Sequence, residues 1–431
     1  MSTIRQLRDF CILSVTMFVL ACFGDAFAQT SYQVTDLGTP KNDTYSMVMS
    51  VNNEGWTEIM AGNIGGLGGN NLFGTLENGR AVLGAYGFLL DLGTLGGPNS
   101  WMNFGEINDF GQIVGYSETS VPDPNGEDIC GFGTHLTCRP FLWQFFHMSP
   151  LPTLGGNNGE ASAINDRGQI VGMAENGNLD STCPPNTTNN RIQLPVVWEN
   201  GRAHALPTLG SDPDGFAFWN NDRGQVVGYS GTCGGATIHA VSWKRGVASQ
   251  LPDLGTGSIA ENINNQGQVV GTIGSADNST QYGALWQNGV VTSLGLLPGD
   301  FGGVAFGNNS RGQVVGANWD SNFYWNHAFL WQNGVMTDLN TLFPAGSNLY
   351  ATFAAKINER GQIGGQAVVL SGPDAGQVHA FLATPTDQPV GKSVADVVHT
   401  RPGSNLPANV SQQPMPMPMS MSMFLLHHAG Q

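Results

Sequence analysis

Several carboxylates stand beside aromatic residues in glycine-rich stretches of this sequence. Asp214 lies two residues before Phe216, and Asp300 directly precedes Phe301. An aromatic face beside a carboxylate can bind a sugar or another polar ligand, because the ring covers apolar surface while the carboxylate accepts hydrogen bonds. The ligand-binding candidates of this type are Trp101, Phe104, Asp214, Phe216, Asp300, Phe301 and Tyr350. The alternative, which the sequence favours, is that these side chains only pack between structural units.

No familiar catalytic pattern accompanies these candidates. The sequence contains no nucleophile elbow, phosphate-binding loop, zinc signature or catalytic-triad pattern. Residues 123–128 loosely resemble a calcium loop, and residues 212–215 do so more weakly, since calcium prefers oxygen ligands that are close in sequence. Neither stretch continues into an EF-hand. We therefore expect no catalytic residue, no cofactor and no metal.

One phrase recurs along the chain. Its fullest form, Ile-Asn-Asp-x-Gly-Gln-Ile-Val-Gly, occurs at residues 107–115 and 164–172, and a degraded copy begins at Val51. The glycine after the variable position marks seven copies, at Gly55, Gly111, Gly168, Gly224, Gly267, Gly312 and Gly361. Successive glycines are 43 to 57 residues apart. Periods of roughly 40–50 residues are typical of the four-stranded blades of β-propellers.

Each copy carries the strands that such a blade needs. The Asn-Asp-x-Gly stretch predicts a tight turn between a first and a second strand, because Asn and Asp bond to nearby backbone and Gly accepts a positive φ. A second tight turn follows the third strand and leads to a fourth, and a glycine-rich bridge then crosses to the next copy. The third strand ends in tryptophan in five copies, at Trp143, Trp198, Trp243, Trp286 and Trp331.

The two ends of the repeat array complement each other. Residues 32–38 match a fourth strand that has no unit before it, and residues 379–383 match a third strand that has no fourth after it. A ring in which the N-terminal strand completes the last blade removes both exposed edges. We therefore predict an all-β fold, a seven-bladed β-propeller of four-stranded blades closed in this way, over residues 29–384.

The predicted blades separate two faces. If the first strand is innermost, both tight turns of each blade lie on one face, while the second-to-third loops and the bridges lie on the other. Four cysteines fall in those loops, an even number that predicts two disulfides with three alternative connectivities. We favour Cys130–Cys138, within one loop, and Cys183–Cys233, between neighbouring blades.

Three histidines recur at equivalent positions of the third strand, His239, His327 and His379. A metal centre would need them to converge at ligand distances near 2 Å. One histidine per blade, away from the axis, cannot do so. We expect these side chains to pack or to form hydrogen bonds.

Three phrases of the repeat together resemble the HAF family of bacterial extracellular repeat proteins. They are Asp-Leu-Gly-Thr-Leu-Gly-Gly, the Asn-Asp-x-Gly phrase above, and His-Ala-Phe-Leu-Trp, whose clearest copy is residues 327–331. The resemblance covers about residues 32–384, and the first unit departs from it most. It implies export and a propeller-like repeat, and it implies no particular reaction.

The two ends of the chain lie outside the repeats. Residues 1–28 resemble a signal peptide, with Arg5 and Arg8 before an apolar run and an Ala-Phe-Ala cleavage site at residues 26–28. A membrane anchor is the alternative, although the run is shorter than the roughly 20 residues that span a bilayer. Residues 385–431 are rich in Pro, Ser, Met and Gln and predict a disordered tail.

Composition narrows the function. The net charge is −16, and only 11% of residues are charged. A chain this acidic lacks the positive field that nucleic-acid binding requires. We expect an exported monomer without a transmembrane segment in its mature part, extracellular or periplasmic, that serves as a non-catalytic scaffold for glycans or cell-envelope components. The alternatives are an enzyme, a hydrolase or lyase, that acts on an extracellular polysaccharide, and a purely structural envelope protein.

Overall fold

The computed structural model describes residues 30–64, 76–102, 107–185, 187–235, 237–254, 257–277 and 279–389. The predicted signal peptide, the candidate Phe104 and residues 390–431 of the predicted tail lie outside the described residues. Within these ranges the chain forms 28 strands and two short 3₁₀ helices, Cys233–Gly235 and Leu339–Leu342. No helix in the described part is long and apolar enough to cross a membrane. The fold is all-β, as predicted.

The strands follow the repeat, and each group of four is called a unit here. The first strand, β1 (Thr30–Gly38), precedes unit 1, which is β2 (Tyr45–Val51), β3 (Thr57–Ile64), β4 (Leu76–Ala85) and β5 (Phe88–Asp91). Unit 2 is β6 (Gly96–Trp101), β7 (Ile113–Pro122), β8 (Leu136–Gln144) and β9 (His147–Pro150). Unit 3 is β10 (Gly159–Ile164), β11 (Ile170–Leu179), β12 (Arg191–Glu199) and β13 (Arg202–Ala205). Unit 4 is β14 (Asp214–Asn220), β15 (Gln225–Gly231), β16 (Ile238–Lys244) and β17 (Val247–Gln250).

The remaining strands complete the array. Unit 5 is β18 (Ser258–Ile263), β19 (Val269–Gly274), β20 (Gln281–Gln287) and β21 (Val290–Ser293). Unit 6 is β22 (Gly302–Asn308), β23 (Val314–Trp319), β24 (Trp325–Gln332) and β25 (Val335–Asp338). Unit 7 is β26 (Leu349–Ile357), β27 (Ile363–Val369) and β28 (Val378–Pro389), together with β1.

Each unit is an antiparallel sheet whose strands lie in chain order. Units 2 to 6 form five separate four-stranded sheets. Units 7 and 1 belong to one eight-stranded sheet, in which a single parallel pair, Tyr45 and Val378, joins β2 to β28. Each unit therefore has a turn face, with the first-to-second and third-to-fourth turns, and a loop face, with the second-to-third loops and the bridges.

Burial falls from the first strand of a unit to the fourth. Every residue of β2, β10, β18 and β22 is buried, whereas β13, β17 and β21 are mostly exposed. The tryptophans that end the third strands contribute to the contacts between units. The indole Nε1 of Trp198, Trp243 and Trp286 donates to a proline carbonyl of the preceding bridge, at 2.6–2.7 Å. These three tryptophans are buried core residues.

The first strand of the described chain pairs with the last one. β1 runs antiparallel to β28, with register pairs that extend from Ser31 and Thr386 to Gly38 and Ala380. The Nδ1–H of His379 donates to Asp36 at 2.9 Å and fixes the two strands to each other. This pairing of the two ends of the array is the one expected from their sequences. β28 continues to Pro389, so the pairing extends into the first residues assigned to the tail.

Both predicted disulfides are present. One joins Cys130 of the β7–β8 loop to Cys138, which lies near the start of β8, with a Cα–Cα distance of 5.4 Å. Cys183 and Cys233 join the second-to-third loops of units 3 and 4, with a Cα–Cα distance of 4.9 Å. The preferred connectivity is therefore confirmed, and one of its two bonds ties neighbouring units together on the loop face.

A ring of hydrogen bonds connects the seven first-to-second turns. In each turn the Asn side chain donates through Nδ2 to the main-chain carbonyl of the corresponding Asn in the next unit, at 2.8–3.2 Å. All seven asparagines are buried, and the bond from Asn358 to Asn52 returns to the start. The members, in order, are Asn52, Asn108, Asn165, Asn221, Asn264, Asn309 and Asn358. We call this set the asparagine ring.

Each ring asparagine also builds its own turn. The Oδ1 of Asn264 accepts from the main-chain N–H groups of Gln266 and Gln268, and its carbonyl accepts from the N–H of Gly267. The Nδ2 group donates to Gln268 Oε1 as well as to the next unit. One side chain thus satisfies four partners. The carboxamide supplies two N–H donors and an acceptor, whereas an ionised Asp has no donor and Ser has only one.

The residues that follow the ring asparagines form a second set of contacts between units. The main-chain N–H of this residue donates to the side-chain oxygen of its counterpart in the next unit, at 2.9–3.1 Å, for six neighbouring pairs of the described turns. This explains why Asp, Asn or Glu recurs at the position. Its side chain is an acceptor for the neighbouring unit rather than a free charge.

Replacement of one ring asparagine by aspartate tests the energetic weight of the asparagine ring. Asn264→Asp keeps the Oδ1 acceptor but removes the Nδ2 donor and faces a carboxylate toward the Asn309 carbonyl. We expect a loss of about 2–3 kcal/mol in the free energy of unfolding at pH 7, measured by urea denaturation. Asn178→Asp, at an exposed residue outside the asparagine ring, is the control and should lower the free energy of unfolding by only a few tenths of a kcal/mol. Equal losses in the two variants would contradict this role.

Candidate functional site

The structure divides the predicted ligand-binding residues into separate groups. Asp300, Phe301 and Tyr350 lie near one another on the loop face of units 6 and 7. Asp214 and Phe216 belong to unit 4, and Trp101 ends β6 and packs on Phe132, with ring centroids 5.6 Å apart. Phe216 is 2% exposed and stacks on Phe218 at 4.6 Å, so it is core rather than lining. For Phe216 the packing alternative is therefore the correct one.

The Asp300 carboxylate is the centre of the group on units 6 and 7. It lies in the bridge between β21 and β22, and its side chain is completely buried. Asn326 donates to it through Nδ2 at 2.6 Å, and the Nδ1–H of His327 donates at 2.9–3.0 Å to both carboxylate oxygens. Both donors stand at the start of β24, so strand pairing within unit 6 fixes their positions.

The charges of this group favour a protonated histidine. Burial by itself would lower the pKa of His327, but the hydrogen bond to Asp300 and the charges of Asp300 and Asp338 outweigh it and raise the pKa. Burial raises the pKa of Asp338, although His327 and the hydrogen bonds from Asn340 act in the opposite direction. Asp338 caps the 3₁₀ helix Leu339–Leu342 by accepting from the N–H of Asn340.

Tyr350 lies beside this pair. Its ring is 6.3 Å from that of His327, in an edge-to-face arrangement. The hydroxyl is buried and has no hydrogen-bond partner in the described structure. Burial and the charges of Asp338 and Asp300 raise the pKa of Tyr350, so it remains a neutral donor. A buried hydroxyl without a partner costs free energy, which a ligand or a water that binds it would recover.

Two exposed phenylalanines lie next to Asp300. Phe301 and Phe323 are 42% and 41% exposed, and their rings meet edge to face at 5.9 Å. Phe323 has a φ of +62°. Asp320 holds this turn by accepting from the N–H groups of Asn322 and Tyr324. We call the set of Asp300, Phe301, Phe323, His327 and Tyr350 the loop-face site.

The loop-face site combines an apolar platform with oriented polar groups. Its carboxylate is already occupied by two donors, so the groups left for a ligand are the aromatic faces and the tyrosine hydroxyl. This combination suits an uncharged polar molecule such as a sugar, with the rings against its apolar face. The sequence identified Asp300, Phe301 and Tyr350. It missed Phe323, in the β23–β24 connection, and Asn326, at the start of β24, and the available signal was the aromatic residue within that loop.

The other two recurring histidines bond through Nδ1 to the fourth strand of their own unit. The Nδ1–H of His379 donates to Asp36, and Gln250 donates to the Nδ1 of His239 at 3.2 Å. Each of the three histidines thus fixes a neighbouring segment through Nδ1. His327 differs from the other two, because its partner Asp300 lies in the bridge before unit 6, whereas the fourth-strand residue equivalent to Asp36 and Gln250 is Asp338.

Asp214 lies in a second acidic group on the loop face. Its carboxylate accepts from the N–H of Gln193 at 2.9 Å and is adjacent to Asp180, near the disulfide of Cys183 and Cys233. Burial, together with a hydrogen bond to Asp180 and the charge of that residue, raises the pKa of Asp214 to about 7. Asp180 and the two sulfurs are the only group in the described ranges with metal-ligating geometry, but both sulfurs belong to the disulfide.

The stretch that loosely resembled a calcium loop is held by hydrogen bonds from nitrogen donors. Asp123 accepts from the N–H groups of Asn125 and Glu127 and from Asn158 Nδ2. Glu127 accepts from the N–H of Asn190 at 3.2 Å. These carboxylates connect the β7–β8 loop to unit 3.

The protonated state of Asp214 predicts a pH dependence of stability. Between an unfolded pKa near 3.8 and a folded pKa near 7, the folded chain keeps a proton that the unfolded chain loses, so stability falls as the pH rises through this range. Asp214→Asn should flatten the dependence and, at pH 8, raise the free energy of unfolding by about 2–4 kcal/mol. Urea denaturation between pH 4 and pH 8 measures it. Parallel curves for the two proteins would refute the raised pKa.

Comparisons with known proteins give a fold likeness only. No family model matches the chain, and no curated protein is similar to it. Among solved structures, it is similar to the β-propeller domain of the Trilobed protease from Pyrococcus furiosus, with 13% identity over 69% of this chain and 81% of that one and a TM-score of 0.42. It is also similar to a streptogramin B lyase structure, with 7% identity over 83% of this chain and 98% of that one and a TM-score of 0.46. A third similar structure is TolB from Acinetobacter baumannii, with 11% identity over 90% of this chain and 71% of that one and a TM-score of 0.38.

Proposed function

We propose that this chain is an exported β-propeller of seven four-stranded blades, built from HAF-type repeats, that serves outside the cytoplasm as a non-catalytic binding scaffold. Each unit defined above is one blade, and β1 completes the last. The ligand is an uncharged glycan or glycan-like component of the cell envelope, bound at the loop-face site, and no cofactor takes part.

The asparagine ring supports the closed seven-bladed arrangement. Its bonds link each unit to the next, and the bond from Asn358 to Asn52 joins turns that are 306 residues apart. The pairing of β1 with β28 also supports a closed ring, because it gives the last blade its fourth strand. An open array would leave the outer strands of its terminal units without these partners.

Export is supported by the cysteines and by the N-terminal sequence. Two disulfides are typical of proteins in oxidising compartments. The basic residues, apolar run and Ala-Phe-Ala site of residues 1–28 agree with secretion.

The single observation that carries the binding function is the composition of the loop-face site. Phe301 and Phe323 are partly exposed and in contact with each other, and the hydroxyl of Tyr350, whose ring contacts His327, is buried and has no partner in the described structure. Two rings at an angle form a shallow apolar corner, and the hydroxyl supplies a directional hydrogen bond. Specificity would come from the polar group, and most of the affinity from the covered rings.

The hydrogen bonds at the site favour binding over catalysis. The Asp300 carboxylate accepts from Asn326 and His327, and Asp338 accepts from Asn340. Neither acid has the solvent access of a general acid or nucleophile. The equivalent histidine in unit 7 also bonds to a carboxylate, that of Asp36 in the fourth strand, and there the contact holds β1 to β28.

The enzyme alternative rests on the same histidine. A carboxylate that orients His327 through Nδ1 leaves Nε2 as a general base, which is how His–Asp pairs act in hydrolases. In that case the chain would cleave an extracellular polysaccharide rather than only bind it.

A glycan array with the purified full chain, followed by a reducing-sugar assay on the bound glycans, separates the two functions. We expect selective binding without release of new reducing ends. Phe301→Ala and Phe323→Ala should each weaken binding about tenfold, because each removes one ring of the platform. Leu254→Ala, which shortens a side chain of similar exposure in another bridge, is the control and should leave affinity unchanged.

The outcomes are distinct. Release of new reducing ends that is lost in His327→Gln would establish the enzyme. Binding that persists in both phenylalanine variants would place the ligand elsewhere on the protein and refute the loop-face site.

A further inference from the structure

Units 1 and 2 expose aromatic side chains on their turn face and outer edge. Tyr86 is 83% exposed, Phe88 77%, Phe110 73%, Phe145 90% and Phe146 83%. We call these five residues the aromatic patch. Large exposed apolar surface on a monomer often marks an interaction site.

The repeat itself provides the comparison that makes the aromatic patch unusual. Tyr86 and the pair Phe145–Phe146 occupy third-to-fourth turns, where units 3, 5 and 6 have Asn-Gly and unit 4 has Arg-Gly. Phe110 occupies the variable position of the first-to-second turn, where every other unit has Arg, Gln or Glu. Only units 1 and 2 have replaced polar turn residues with aromatic ones.

The backbone disfavours these replacements. The third-to-fourth turns have positive φ at both central positions, with 51° at Phe145 and 61° at Phe146. Asn-Gly is the preferred pair for such a turn because bulky side chains are strained there. A strained residue persists where the surrounding structure or a function requires it. Both phenylalanines are largely exposed, and the one ring contact given for them is that of Phe146 with Trp143 at 5.8 Å, so burial does not explain their presence.

The members of the aromatic patch are connected. The Tyr86 ring meets Trp56 at 5.9 Å. Trp56 packs against Gly111, next to Phe110, so closely that a Cβ at Gly111 would lie 2.7 Å from the indole. The two turns of unit 2 are joined beside them, since Gln112 Nε2 donates to Gln144 Oε1 at 2.8 Å.

We propose that the aromatic patch is the contact surface for a second copy of this chain, in a twofold-symmetric dimer. Five rings that each offer about 150 Å² present about 750 Å² per copy, close to the roughly 800 Å² per partner that a stable standard-size interface buries. An isologous contact requires a surface complementary to itself. Stacked aromatic rings meet that requirement because they carry no net charge. The sequence alone suggested a monomer.

The charge distribution agrees with this partner. The chain carries a net charge of −16, so contact between two copies is favourable only where the local charge is near zero. The ion pair on β4 and β5 of unit 1, Arg80 with Asp91 at 2.7 Å, is neutral as a pair. Repulsion from the rest of the surface is screened by salt. The dimer should therefore become tighter as the ionic strength rises.

Sedimentation velocity of the full chain over a range of concentrations tests the dimer. We expect a concentration-dependent dimer at 0.15 M NaCl that weakens at 0.02 M NaCl. The double variant Phe145→Asn with Phe146→Gly, which installs the turn of unit 3, should raise the dimer Kd at least thirtyfold. Tyr86→Asn with Phe110→Arg is an independent second variant with the same expectation.

The variants and their control keep the result interpretable. The Asn-Gly turn suits this backbone, so the first variant should unfold at the same temperature as the original chain or at a higher one. Val290→Ser, at the unit 5 position equivalent to Phe88 and 63% exposed, should leave the dimer intact. A chain that is monomeric at every concentration would overturn the proposal, and so would a dimer that both aromatic variants retain.

Discussion

The structure depends on a hydrogen bond that one carboxamide makes to the turn of the next unit. A four-stranded sheet of this size cannot bury its first strand alone, so each unit relies on its neighbours. Hydrophobic contact between units supplies most of the stabilisation but little directional specificity. The asparagine ring adds direction, because its Nδ2 groups point to a carbonyl whose position is set by the neighbouring turn. It fixes the positions of the seven turns relative to one another, and thereby the positions of the strands that follow them.

This constraint explains which positions vary between units. Asparagine stands in all seven turns, and the residue after it is Asp, Asn, Glu or Ser, because its main-chain N–H and its side chain bond to neighbouring units. The next residue varies more widely, between Arg, Gln, Glu and Phe, although Arg360 and Glu54 form an exposed ion pair between units 7 and 1. The second-to-third loops are also free of the asparagine ring, which is why they differ in length and carry the disulfides. Ligand contacts can therefore change without loss of the scaffold.

Much of the fold could be predicted from the sequence, and the reason is its repetition. Seven similar phrases defined the strand order of each unit, and the unmatched segments at residues 32–38 and 379–383 predicted the pairing of β1 with β28. The loop assignment also predicted Cys183–Cys233, because both cysteines fall on one face. The asparagine ring was not foreseen. A turn of Asn, Asp and Gly is explained locally, and nothing in a single copy shows that its amide reaches the next unit.

The candidate site was harder to predict because its residues come from different units. Asp300 lies in a bridge, Phe323 in a loop and Tyr350 in the first strand of the next unit, so their proximity depends on how units 6 and 7 pack. Phe216 was predicted to line a ligand site as well, but in β14 it is buried in the core and stacks on Phe218. A β-bulge changes which side of the sheet a side chain faces. β14 contains such an irregularity, because its register shifts between Ala217 and Trp219.

Chemical cross-linking of unit 1 to unit 7 tests the closed ring most directly. Glu54 and Arg360 are exposed, and their side chains approach to 3.5 Å although they are 306 residues apart. In a chain with E54C and R360C, a short bismaleimide should yield the linked peptides within one molecule, as mass spectrometry of the monomer band would show. A chain with E54C and Q266C, whose residues lie in units that are not neighbours in the ring, should not be linked. Absence of the first link within one molecule, or equal yield of the second, would contradict a ring held by its turns.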